Sequence, residues 1–117
     1  MRNWLAGFLA LTLIGGCATR QTVEDEGAKN NFSSKLRPSE LAKCMARSVD
    51  GKIMGSLQAQ IESSEGLVEV IVRNGQHIWS IAKIRASDRG SNADLYYGAA
   101  GKINIEKSRQ WMTEGCS

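Results

Sequence analysis

Three cysteines and one histidine are the side chains of this chain best suited to nucleophilic or metal chemistry. Zinc would need three or four ligands, so Cys17, Cys44, Cys116 and His77 leave little material for a site. No Cys-x-x-Cys and no adjacent histidine lowers a thiol pKa, and no Gly-x-Ser-x-Gly surrounds a serine. His77 flanks a turn, where a histidine is ordinarily solvated. Glu62, Glu65 and Glu69 could be imagined as a glycosidase-like carboxylate set, but they fall in a turn region and read as solubilising charge. Gly98-Ala99-Ala100-Gly101 lacks the Lys-Ser/Thr that completes a phosphate loop. No acid–base or nucleophile set assembles, so the expectation is a protein that is not an enzyme, without catalytic residues, metal or cofactor.

The first cysteine has a different setting. Arg2 and the amino terminus are followed by an uncharged apolar run of eleven residues, Trp4 to Ile14. A membrane span needs roughly twenty, so the run fits the core of a secretory signal, with Gly15-Gly16 as the small residues before a cleavage site. Ile14-Gly15-Gly16-Cys17 resembles the lipobox of bacterial lipoprotein precursors. That resemblance implies that Cys17 is lipidated on sulfur, becomes the new amino terminus and is acylated there. Two or three acyl chains anchor firmly where one holds only marginally. By the same family's sorting rule, Ala18 after the cysteine implies the outer membrane, with the domain facing the periplasm. Ordinary cleavage near Ala18, giving a soluble periplasmic product, is the rival reading.

The expected organisation is a signal peptide at 1–16, a lipidated flexible tether at 17–37 and one small domain at 38–117. Removing sixteen residues from 117 leaves 101, enough for one domain only. Fifteen Lys+Arg against twelve Asp+Glu are scattered along the chain, which argues against a nucleic-acid partner. Thr19 to Arg37 is polar without period and carries Glu24-Asp25-Glu26. As a flexible linker it would reach about 20–25 Å.

Pro38-Ser39-Glu40 reads as a helix start, and Leu41, Cys44, Met45 and Val49 form an apolar stripe that Asp50-Gly51 ends. Leu57, Ala59 and Ile61 alternate with polar residues as a strand. Leu67 to Arg73 and His77 to Ala86 are strand-forming and joined at Asn74-Gly75, the favoured hairpin turn. A two-residue loop there pairs Val72 with His77, Val70 with Trp79 and Val68 with Ile81, placing Trp79 in the core; a three-residue loop would reverse the faces. Asp94 to Tyr97 begins a fourth strand, with one tyrosine ring on each face. A last helix starts near Asn104, with Ile105, Ser108, Trp111 and Met112 on one side. The expected fold is two-layer α+β: a helix, a four-stranded antiparallel meander and a C-terminal helix, both helices on one sheet face.

With Cys17 assigned to lipid, Cys44 and Cys116 remain in an oxidising compartment and are expected to form a disulfide if the two helices lie side by side. The enclosed loop of about seventy residues is worth roughly 4 kcal/mol in the chain-entropy model. Free thiols and a redox pair are the alternatives. Tyr96, with Lys83, Arg85 and Arg89 along the third strand and its turn, is the one constellation resembling a recognition patch; a plain polar surface is its rival. An uncovered sheet face bearing Ile71, Ile78 and Ile84 leaves a homodimer open.

Leu41-Ala42-Lys43-Cys44, Tyr96-Tyr97 and Cys116 give the domain a general likeness to small proteobacterial and phage-encoded lipoproteins. That likeness implies a non-catalytic binding or accessory module for an envelope protein or secretion assembly. The alternative is an inhibitor of a lysozyme or of phage entry.

Overall fold

The computed structural model describes residues 20–117. Cys17 and the leader lie outside the described residues. In chain order the elements are α1 (Arg20–Asp25), β1 (Asn30–Ser34), α2 (Pro38–Val49), β2 (Leu57–Ser64), β3 (Leu67–Asn74), β4 (His77–Ser87), β5 (Gly90–Tyr97), α3 (Ala99–Lys102) and α4 (Ile105–Thr113). The architecture is α+β, with a five-stranded antiparallel sheet in the order β1-β5-β4-β3-β2. No helix among the described residues is long and apolar enough to cross a membrane.

The anticipated meander is present as β2 to β5, but the sheet has a fifth strand. It comes from the stretch read as a solvated tether. β1 pairs with β5 in the register Asn30↔Leu95 to Ser34↔Ser91. Its sequence, NNFSS, buries only Phe32 and Ser34, so nothing in its composition separates it from linker. What makes it a strand is the free edge of β5, whose backbone groups need partners.

Proline in the first turn and Glu40 near the positive end of the dipole start α2, as the sequence indicates. Its buried face is Leu41, Ala42, Met45 and Val49. The Asn104 side chain caps α4 by accepting from the Lys107 backbone N–H at 3.0 Å. The two helices run side by side on one sheet face. Ser48 Oγ donates to the Trp111 carbonyl, and Cys44 and Cys116 are bonded with their Cα atoms 5.8 Å apart. Beneath them Leu57, Val70, Val72, Trp79, Ala82, Ile84, Leu95 and Tyr97 close the main core with Met112. Each large apolar side chain fully buried there contributes about 1.5–3 kcal/mol. Trp79 and Trp111 stack with centroids 6.0 Å apart.

The β3–β4 register differs from the one a loop at Asn74-Gly75 gives. The turn residues are Gly75 and Gln76, so Asn74 faces His77 and Arg73 faces Ile78. An irregularity follows, after which Val72 faces Ser80, Val70 faces Ala82 and Val68 faces Ile84. Trp79 is the extra residue of a β-bulge, which turns both Trp79 and Ser80 toward the helices. Trp79 therefore lies in the core as expected, but Ile81 and Ile84 exchange faces. Ile84 is in the main core, while Ile81 joins Ile71 and Ile78 on the other side.

The residues between β5 and α4, read as a plain loop, include the single-turn helix α3. Gly98 and Gly101 sit against the carbonyls of Ile78 and Trp79, so closely that a Cβ at either would collide with the bulge backbone. The bulge thus becomes the seat of α3.

Candidate functional site

The sheet face opposite α2 and α4 carries most of the charge chemistry. It was expected to be uncovered, yet α1 lies across it. Val23 of α1 is buried against Ile71, Ile78 and Ile81, with Tyr96 at the margin. Six residues cannot sustain a helix alone; ion pairs at both ends of α1 hold this one. Arg20 donates from Nη1 to Glu62 Oε2 at 2.6 Å and from Nη2 to Glu69 Oε2, and its Nε lies 3.7 Å from Glu24 Oε1. Lys83 Nζ reaches Glu24 Oε1 at 2.9 Å. Burial by itself would lower the Arg20 pKa, but hydrogen bonds and charge from Glu62 and Glu69 outweigh it, and the net shift is upward. Glu26, just past α1, pairs with Lys102 of α3.

The four residues picked as a recognition patch separate into two groups. Lys83, Arg85 and Tyr96 share this face. Lys83 is half-buried and sits 5.6 Å from the Tyr96 ring centroid, a cation–π contact, while also pairing with Glu24. Arg85 Nη1 lies 3.6 Å from Asp94 Oδ2, and Asn31 Nδ2 donates to the other oxygen of Asp94 at 3.0 Å. Arg89 is elsewhere. It projects from the β4–β5 turn beside Lys35 and Arg37, and none of these three cations is ion-paired among the described residues.

Sequence reasoning missed Arg20, Glu24, Glu62 and Glu69 as a cluster. One local signal was present: Arg20 and Glu24 stand four apart, the spacing of a helical ion pair. The partnership with Glu62 and Glu69 has no such signal, because it spans more than forty residues.

A groove of about 400 Å³ opens between α1, the β3–β4 turn and α3. Val23, Ile78 and Trp79 form its apolar wall, with Asn74 and His77 near the turn. Among the described residues no carboxylate, cysteine or lysine lines it, so none of them gives His77 an acid or base partner there. Among the described residues no three His, Cys, Asp or Glu side chains are grouped to hold a metal ion. Two further clefts lie at the other end of the sheet, around the β4–β5 turn. One, of about 630 Å³, is lined by Ser33, Lys35, Arg89 and Ser117 among others; its neighbour, of about 420 Å³, adds Arg37 and Pro38.

The fold defines a small α+β domain tied by the Cys44–Cys116 disulfide. Compared with known proteins, the chain matches no family model, no curated protein and no solved structure.

Proposed function

We propose that this chain is an outer-membrane-anchored lipoprotein whose domain faces the periplasm and acts as a non-catalytic accessory module, binding an envelope protein or secretion assembly. Its residence rests on the Ile14-Gly15-Gly16-Cys17 leader. Its binding role rests on one observation, the open edge of β2.

β2 is eight residues long, and six of its residues are exposed. Among the described residues it borders only β3, and none of them pairs with the backbone groups along its other side. Natural edges are usually blunted by lysine, proline or a bulge. LQAQIESS has no lysine or proline, its pairing with β3 is regular over the full length, and Ile61 is 41% exposed on the helix side. Such an edge accepts an added strand: main-chain hydrogen bonds supply affinity and alternate side chains supply specificity. Lys83 and Arg85 are already engaged by Glu24 and Asp94, so the edge is the better contact surface than the patch around Tyr96.

Intact-mass measurement of the mature protein tests the anchor: lipid mass on a chain starting at Cys17, with two thiol protons missing. A mature product that starts at Met1, or at Cys17 without lipid, overturns it. Cross-linking in the envelope tests the role. Ile61→Lys should abolish the principal adduct while leaving the fold intact. An adduct to a muramidase or phage component would replace the accessory role with an inhibitory one, and turnover on peptidoglycan would replace both.

A further inference from the structure

We infer that the cleft of about 420 Å³ beside the β4–β5 turn is a binding site for a phosphate-class oxyanion, free or carried on a lipid headgroup. Lys35, Arg37 and Arg89 all line it, with Ser87 as a neighbouring hydroxyl. Among the described lining residues Asp88 is the one acidic side chain, leaving a local excess of two positive charges from three cations and one anion. These three cations have no carboxylate partner among the described residues, and what sets them apart from other unpaired lysines and arginines is that they converge on one cleft. Two guanidinium forks and one ammonium suit a tetrahedral dianion, because each fork can bond two oxygens at once.

The backbone adds donors of the same sign. Pro38 lines the cleft, and α2 begins there without a side-chain cap. The first helical bond is from Leu41 N–H to the Arg37 carbonyl, so the amides of Ser39 and Glu40 keep no partner within the helix. Pro38 is the first residue of this twelve-residue helix, so an anion in the cleft would sit at the positive end of its dipole.

The walls are also fixed in place. Gly90, at φ 143°, lets the β4–β5 turn press against the Ser34 and Lys35 backbone where a Cβ would collide. Ser91 Oγ donates to the Leu36 carbonyl at 2.6 Å, and Ser34 Oγ donates to the Cys116 carbonyl at 2.5 Å. The turn that bears Lys35 and Arg37 is therefore clamped to β5 and to the chain's disulfide-tied end. A site held before its ligand arrives loses less entropy on binding.

The test is a titration of the purified full chain at low ionic strength, followed by backbone amide shifts. One arm uses inorganic phosphate and the other glycerol 3-phosphate, a soluble headgroup. Saturable shifts are expected at Arg37, Ser39, Glu40 and Arg89. The double variant Arg37→Gln, Arg89→Gln should weaken binding about tenfold or more. Asp88→Asn should tighten it about two- to fivefold by removing the opposing charge. Lys43→Gln, on the exposed side of α2, should change nothing. Equal or tighter binding of glycerol 3-phosphate assigns the site to headgroups, and preference for inorganic phosphate assigns it to the free ion. Absence of saturable shifts with both probes, or full binding by the double variant, overturns the inference.

Discussion

Replacing both Cys44 and Cys116 with alanine removes the only covalent tie across the described domain. The bond joins residues 72 apart, from the middle of α2 to just beyond α4, and encloses all of β2 to β5. In the chain-entropy account a loop of that length restricts the unfolded chain by about 15 cal/mol/K, worth about 4.4 kcal/mol at room temperature. Truncating buried Cys116 adds a smaller packing loss. The whole stability of a domain this size is of order 5–15 kcal/mol, so the variant is expected to be marginal. Urea unfolding read by tryptophan fluorescence is the assay, because Trp79 is buried in the core and stacks on the half-buried Trp111. With a slope near 1.5 kcal/mol/M, the midpoint should fall by about 3 M. The slope itself should rise, because an unfolded chain without the cross-link exposes more surface. A fall of less than about 1 kcal/mol, with unchanged slope, would refute the reasoning. The oxidised and reduced unfolded chains would then be equally restricted, and the stability would lie in the packing of α2 on α4.

Three further outcomes follow from the core and from α1. Ser80 Oγ is buried without a hydrogen-bond partner among the described residues, so Ser80→Ala should stabilise by about 1 kcal/mol in the same assay. Burial pushes the Tyr97 hydroxyl up to about 12, with nearby Arg109 opposing. The native state thus holds that proton more tightly than the unfolded chain. Its stabilisation is complete below about pH 10 and is lost as pH climbs toward 12, amounting to roughly 2–3 kcal/mol. Tyr97→Phe should flatten that alkaline decline while losing the bond to Asn30 Oδ1. Arg20→Ala leaves Glu69, only 11% exposed at its side chain, without its guanidinium, at a cost of about 1–2 kcal/mol after solvent screening. Hydrogen exchange should then quicken in residues 20–25 while β1 stays protected; equal loss in both would show that they open as one unit.

Local signals alone mark the four meander strands, the two longer helices and the asparagine cap, whereas the Asn74-Gly75 signal places the β3–β4 turn one residue too early. Leu41, Met45 and Val49 must share a helix face whatever surrounds them, and LVEVIVR must be a strand. The disulfide also follows from sequence once the helices at its two ends are set side by side. The β1 strand and α1 could not be read this way. Asn30–Ser34 and Arg20–Asp25 are polar segments that order only because β5 offers an open edge and because Glu62, Glu69 and Lys83 offer charge. The face assignment of β4 likewise depends on one bulged residue, and a single inserted position inverts every side chain beyond it. The same holds for the cations. Lys83, Arg85 and Arg89 lie close together in the sequence, but pleat and turn send the first two to Glu24 and Asp94. Only the packing of the β4–β5 turn on the Lys35–Arg37 backbone brings Arg89 to its real neighbours. Long-range contacts decide which charges are satisfied and which stay open to a ligand, and no spacing rule along the chain encodes them.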